Sequence, residues 1–179
     1  MELNRLARLL AQRNQIDAEI ASITGSPALA GHLGEFIAAA VFGIVLQLSA
    51  TNRGSDGAFT TGTLAGRSVN VKWYGKLEGI LDLNADHPAD FYLVLAGPRS
   101  APTASRGGTR PAVISSVFLF QAALLHEELR AGGVKLGIAT SVRRRLWDAA
   151  EIYPEQRNPA LALTDDQRAL LALFGPPTG

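Results

Sequence analysis

The sequence predicts an α/β fold with a central mixed sheet of about five strands flanked by helices. Three observations predict it: two segments with helical periodicity come first, short runs of alternating or continuous apolar residues follow, and further helical segments then alternate with such runs. Of the 179 residues, 47% are hydrophobic and 18% are charged, which suits a globular chain with a sizeable core. We therefore expect a single domain over residues 1–179.

The first two predicted elements are helices. Residues 2–23 carry apolar side chains at roughly helical spacing, and a Gly-Ser-Pro turn follows them. A second, alanine-rich helix is expected over 28–43, and Glu35 lies on it. The apolar stripe of the first helix must pack back on the core or against a second copy of the chain. Segment 1–24 is thus a candidate for homo-oligomerisation.

The remaining elements follow from turn residues and apolar runs. A core over 28–150 and a C-terminal helix and tail over 155–179 are expected. Thr164 is expected to cap the last helix, with acidic residues in its first turn. Strands are predicted over 45–49, 58–63, 67–74, 90–96, 112–118 and 134–139, and helices over 119–131 and 141–152.

The strand predicted over 67–74 alternates apolar and polar side chains. Asn70, Lys72 and Tyr74 point to one face, and the residues between them point to the other. Asp56 lies in the turn-rich segment before this hairpin. A hairpin of this kind can bring Asp56 and Lys72 to the same end of the sheet. A carboxylate beside an amine is a common minimal arrangement for metal-assisted attack on a phosphodiester.

These residues resemble the PD-(D/E)XK nuclease superfamily, whose pattern is an Asp followed by an acid-x-Lys triplet on the next strand. Asp56 matches the first position, Lys72 the lysine, and Glu35 the acid often found on the preceding helix. The triplet here is Asn70-Val71-Lys72, so Asn stands where the family usually has Asp or Glu. The resemblance covers roughly residues 30 to 96 and implies a restriction-endonuclease-like core.

The resemblance also implies a role for each matched residue. Asp56, Glu35 and the carbonyl of Val71 would hold Mg²⁺ or Mn²⁺ weakly, because Asn70 brings no charge. Asn70 would orient a water or complete the ligand shell, and Lys72 would stabilise the attacking hydroxide and the phosphate. The two carboxylates and the ammonium are expected to converge within about one coordination shell.

Nucleic acid is the expected partner, although the formal net charge of +1 gives no global basic field. Tyr74 could stack on a base. The candidate phosphate contacts are Arg99, Arg106 and Arg110 in the loop over 97–111, and Arg143, Arg144 and Arg145 at a predicted helix start, where internal acids are the alternative partners.

Several function classes lack support in the sequence. Without cysteine there are no disulfides or thiolate metal sites, and the three histidines are not spaced for zinc. There is no signal-peptide core, and no apolar run long enough for a membrane span, so a cytoplasmic location is expected. The sequence predicts a metal-dependent nuclease acting on DNA or RNA. The alternatives are a catalytically weak or inactive pseudonuclease that binds nucleic acid or protein, and a purely structural oligomer.

Overall fold

A computed structural model describes residues 2–47, 54–86, 88–100 and 111–176 of the chain. Over these residues the fold is mixed α/β, with a six-stranded mixed sheet, a separate two-stranded sheet and five α-helices. The α/β class is confirmed, and the sheet has one strand more than the sequence predicts.

The helices are α1 (Glu2–Thr24), α2 (Ala30–Phe42), α3 (Ala122–Ala131), α4 (Arg144–Ala150) and α5 (Asp165–Ala172). The first four strands are β1 (Ile44–Leu46), β2 (Gly57–Phe59), β3 (Ser68–Tyr74) and β4 (Ile80–Leu81). The other four are β5 (Phe91–Ala96), β6 (Ser116–Gln121), β7 (Thr140–Ser141) and β8 (Glu151–Tyr153).

The main sheet has the strand order β1-β2-β3-β5-β6-β8, and β4 pairs with β7 in the small sheet. The β3–β5 pair is parallel, while every other pair in the described part of the main sheet is antiparallel. Every residue of β5 is buried. A strand covered on both faces reads as a continuous apolar run, and this is the pattern of the Phe-Tyr-Leu-Val-Leu-Ala segment.

The two faces of the sheet have separate apolar cores. On one face, called the α2 face, Val69 and Val71 of β3 pack with Ile37, Ala38 and Val41 of α2. Helix α5 adds Leu171 to the same cluster.

On the other face, called the α3 face, Tyr92 and Val94 of β5 pack with Leu125 of α3 and Trp147 of α4. Leu81 of β4 belongs to this second cluster. The sheet is therefore a middle layer, with α2 and α5 on one side and α3 and α4 on the other.

Two predicted strands are wrong or too long. Residues 134–139 are irregular, because Thr140 Oγ1 donates to Gly137 O at 2.8 Å and accepts from Gly137 N at 2.9 Å, which makes a tight turn. The strand predicted over 58–63 ends at Phe59. Thr60 then turns back to Gly43, whose carbonyl accepts both the Thr60 amide (2.9 Å) and the Thr60 hydroxyl (2.7 Å).

Two predicted helices begin or end elsewhere. The helix predicted over 141–152 runs only from Arg144 to Ala150, and its last residues form β8 instead, paired with β6. The strand predicted over 112–118 extends to Gln121, so α3 begins at Ala122 and not at 119. No helix within the described ranges is both long enough and apolar enough to cross a bilayer.

Candidate functional site

Asp56 is held at the point where β2 stops pairing with β3. Its amide donates to Val69 O at 2.9 Å, and its carbonyl accepts from Gln47 N at 2.9 Å. Its carboxylate Oδ2 accepts from the amide of Val71 at 2.7 Å. These hydrogen bonds fix the Asp56 carboxylate against the edge of β3. The carboxylate accepts from the Val71 amide, which would pair with β2 if that strand were longer.

Lys72 projects from β3 onto the α3 face. In the parallel pairing it lies beside Val94, and Nζ is 5.9 Å from the centre of the Tyr92 ring. Burial lowers the pKa of the Lys72 ammonium, and the nearby Asp56 and Asp82 carboxylates oppose that shift. Burial raises the pKa of Asp56, while the hydrogen bond from Val71 N and the charge of Lys72 act the other way. The two groups form a partly desolvated acid–amine pair.

Glu35 is electrostatically coupled to the Asp56 carboxylate. Helix α2 covers the α2 face, and Glu35 lies on the flank of this helix, half-buried. Burial raises the pKa of Glu35, and the Asp56 carboxylate raises it further. The charge of His32 lowers this pKa, and His32 Nδ1 is 4.0 Å from Glu35 Oε2. The expected convergence of these three groups within one coordination shell stays a prediction. Asp56 is electrostatically coupled to Glu35 and to Lys72.

Asn70 shares the α3 face with Lys72 and pairs with Tyr92 across the parallel strands. Its Oδ1 atom is buried and has no hydrogen-bond donor among the described residues. A buried acceptor without a partner costs about 1–3 kcal/mol. An acceptor in this state is available to a water or a cation.

A cation at this edge would find oxygen ligands of the kind that Mg²⁺ prefers. Asp56 and Glu35 supply carboxylates and Asn70 supplies Oδ1. The carbonyl of Val71 projects to the same edge as its amide, because the N–H and C=O of one strand residue face the same neighbour. Within the described ranges, however, no cluster of three or more His, Asp or Glu side chains could hold a metal ion. Any site here rests on two carboxylates and neutral oxygens.

Tyr74 and Asp82 are linked at the far end of β3. The Asp82 amide donates to the Tyr74 hydroxyl at 3.0 Å, and Asp82 Oδ1 accepts from Ala139 N at 2.7 Å. Burial raises the pKa of Tyr74 well above its ordinary range. The half-buried Tyr74 ring packs against the apolar core of the α3 face. Its hydroxyl accepts a hydrogen bond from the Asp82 amide of the same chain. Base stacking by Tyr74 stays a prediction.

The predicted arginine contacts fall into two groups. Arg106 and Arg110 lie outside the described residues. Arg99 and Arg144 both reach Asp148, at 3.6 and 3.5 Å from its two carboxylate oxygens. These side chains remain about half or more exposed, so the ion pairs with Asp148 are weak and open to exchange with a phosphate.

The helix-start arginines also have an internal acid. Arg145 pairs with Glu128 of α3, while Arg143, the residue before α4, is exposed. Internal acids, the alternative partner weighed for this cluster, are therefore present for Arg144 and Arg145.

One pair of polar side chains near Lys72 could not be predicted from the sequence. Tyr92 Oη is 3.0 Å from Nε2 of the buried His126 on α3, and their rings stack at 5.8 Å between centres. Burial lowers the pKa of His126, and the charge of Arg130 lowers it further. Tyr92 is thus placed between His126 and the Lys72 ammonium. No spacing rule relates a strand residue to a helix residue that packs on it.

Comparison with protein-family models and with curated proteins finds no match to this chain. The resemblance to the PD-(D/E)XK superfamily therefore rests on the sequence pattern of Glu35, Asp56, Asn70 and Lys72 alone.

Replacing Glu35 by Gln should flatten the pH dependence of stability. The folded-state pKa of Glu35 lies above its ordinary value of 4.5. Its contribution to stability is therefore full below that pH and is lost as the pH rises through the folded pKa. Glu35→Gln removes this loss, so the free energy of unfolding should fall less between acid and neutral pH. The residual fall comes from Asp56, whose pKa is also raised.

Denaturant unfolding of wild type and Glu35→Gln at a series of pH values measures this effect. Glu127→Gln, the same substitution on the exposed surface of α3, is the matched control. Identical pH profiles for wild type and Glu35→Gln would mean that folding does not raise the pKa of Glu35.

Proposed function

We propose that this protein is a metal-dependent phosphodiesterase of the nuclease type that acts on DNA or RNA. One observation carries the proposal: the Asp56 carboxylate, fixed on the edge of β3 by Val71 N, is electrostatically coupled to the half-buried ammonium of Lys72. The unpartnered Oδ1 of Asn70 projects from the same strand onto the same face as Lys72. Asp56 and Lys72 match the PD-(D/E)XK pattern, while Asn70 stands where the family usually has Asp or Glu.

The residues have separate tasks in this proposal. Lys72 places positive charge where the phosphate accumulates negative charge, and its partly desolvated position strengthens that interaction. Asn70 Oδ1 accepts a hydrogen bond from the attacking water and orients it. Asp56, Glu35 and the Val71 carbonyl would hold Mg²⁺ or Mn²⁺. When bound, such an ion polarises a phosphoryl oxygen and lowers the pKa of a bound water.

The ligand set supports weak metal binding. Two carboxylates raise the affinity for a hard divalent cation. Burial is the main cause of the raised pKa values of Glu35 and Asp56, and a bound cation would stabilise their charged forms. The neutral Asn70 leaves one charge fewer than three acids would give. We expect cleavage to need roughly millimolar Mg²⁺ or Mn²⁺.

The test combines plasmid nicking with calorimetric titration of Mn²⁺ on wild type, Asp56→Ala and Asn70→Asp. Asn70→Asp adds a third carboxylate, so tighter Mn²⁺ binding and equal or faster nicking are expected, while Asp56→Ala should lose both. Asn70→Ala is the control for loss of the amide alone. Absence of nicking and of Mn²⁺ binding in both wild type and Asn70→Asp would overturn the proposal.

A second candidate function is a catalytically weak or inactive pseudonuclease that binds nucleic acid or protein. It is favoured by the absence of a three-acid cluster within the described ranges. In this case no metal binds at Asp56, and Asp56→Ala raises the free energy of unfolding because it removes a desolvated charge next to Glu35. The titration and the unfolding curves of Asp56→Ala therefore separate the two functions.

Nucleic-acid binding should depend on the basic residues of the 97–111 segment. Replacing Arg99, Arg106 and Arg110 together by Ala should weaken DNA binding and lower the slope of log affinity against log salt by about 0.9 for each phosphate that the protein no longer neutralises. Fluorescence anisotropy at several salt concentrations measures the slope. Replacement of the exposed Arg130 and Lys135 by Ala is the control, and an equal decrease of the slope in the control would remove the segment from the binding surface.

A further inference from the structure

Helix α1 is long and almost unsupported by the rest of the fold. It has 23 residues, so it is about 34 Å long, and none of its residues is buried. Leu6, Leu9 and Ile16 are each at least half exposed, and Ile23 is 71% exposed. Most of the stability of a helix in a protein comes from packing of its apolar face. The exposed stripe therefore requires a partner.

The stripe follows a heptad repeat. Positions 6, 13 and 20 fall at a, and positions 9, 16 and 23 fall at d, counting from the sequence. Five of these six positions are Leu or Ile, and Arg13 is the exception. Three heptads with one polar a position are the pattern of a two-stranded coiled coil, in which the polar residue selects the alignment.

The charges of α1 are segregated along its length. Residues 2–13 contain one acid (Glu2) and three arginines, for a net charge of +2, while residues 14–24 contain Asp17 and Glu19 and no base, for −2. Two antiparallel copies place the basic half of each helix beside the acidic half of the other. In a parallel pair the two basic halves would instead lie beside each other, and the two copies of Arg13 would meet in the seam.

We infer that α1 is a dimerisation element that forms an antiparallel two-stranded coiled coil with α1 of a second copy of this chain. In this arrangement the a position of one helix faces a d position of the other, so Arg13 lies against an aliphatic side chain and near the acidic half. The net charge of α1 is zero, whereas helices that lie on membranes are rich in Lys and Arg on the polar face. The self-complementary charge favours a second copy over a lipid surface.

Sedimentation equilibrium of the full chain tests the association. Wild type should be dimeric at micromolar concentration, and Leu9→Lys/Ile16→Lys, which places charges at two d positions, should raise the dissociation constant about 100-fold or more. Ala11→Lys/Ala18→Lys adds the same charge on the exposed side away from the seam and should remain dimeric. A monomeric wild type, or a seam variant as dimeric as wild type, would overturn the inference. Wild type that is monomeric in solution but binds anionic vesicles would assign α1 to membranes instead.

The orientation can be measured separately, because the chain has no cysteine. A spin label on Asn4→Cys should lie about 25 Å or more from its copy in an antiparallel pair and much closer in a parallel one. A label on Gln12→Cys, near the middle of α1, should give a short distance and is the control. A short distance for Asn4→Cys would overturn the antiparallel arrangement.

Discussion

Replacing Lys72 by Ala is expected to reduce phosphodiester cleavage by roughly 100- to 1,000-fold, the usual cost of removing one group that stabilises developing charge. The Lys72 ammonium is partly desolvated, and it is the cation whose charge counteracts the rise in the pKa of Asp56. Its loss therefore leaves the phosphate without its nearby counter-charge. Single-turnover cleavage at saturating Mg²⁺ gives the rate constant.

The matched control is Lys76→Ala, which removes an amine just beyond the end of β3. It should keep nearly full cleavage. Mn²⁺ should bind Lys72→Ala at least as tightly as wild type, since the oxygen ligands remain and a positive charge near Asp56 is removed. Robust cleavage that survives Lys72→Ala would point to a contaminant or to a different site.

Replacing Trp147 by Ala is expected to lower the free energy of unfolding by about 3–5 kcal/mol, the typical cost of emptying a buried aromatic position. Trp147 is fully buried in the core of the α3 face. Its ring makes edge-to-face contacts with Phe118 and Phe120, with centres 4.9 and 5.0 Å away. Helix α4 would lose its main anchor on the sheet.

Urea unfolding measures this loss of stability, and two further variants serve as comparisons. Trp147 Nε1 has no acceptor within the described ranges, so Trp147→Phe forfeits no hydrogen bond and should cost clearly less than Trp147→Ala. Leu124→Ala, at an exposed position of α3, should be nearly neutral. A Trp147→Ala variant as stable as Leu124→Ala would mean that α4 does not depend on this side chain.

The parts of the fold with local signals could be predicted from the sequence. Helix α5 is an example: Thr164 Oγ1 accepts from Gln167 N at 3.2 Å, and Gln167 Oε1 accepts from Thr164 N at 3.0 Å, so the cap predicted at Thr164 is confirmed. The alternation along β3 placed Val69 and Val71 on one face correctly. Both signals depend on residues that are neighbours in the chain.

The parts that depend on tertiary packing could not be predicted in the same way. Residues Glu151–Tyr153 directly follow α4 in the chain, yet they form a strand because they pair with the edge of β6. Likewise the alternation of β3 says which face Lys72 takes, but it does not say which face α2 covers. That α2 covers the face opposite to Lys72 follows from tertiary packing, and only the structure shows it.

The position of α5 has a consequence for how the chain folds during synthesis. Leu171 is fully buried in the α2-face core, Gln167 Nε2 donates to Val41 O of α2 at 3.0 Å, and Phe174 O accepts from Ile114 N at 2.7 Å. Residues that are far apart in the sequence thus complete the helical layer on the α2 face together. That layer stays open until residues up to Phe174 have left the ribosome, so nascent chains arrested earlier should be readily digested by proteases, and protection should appear in one step.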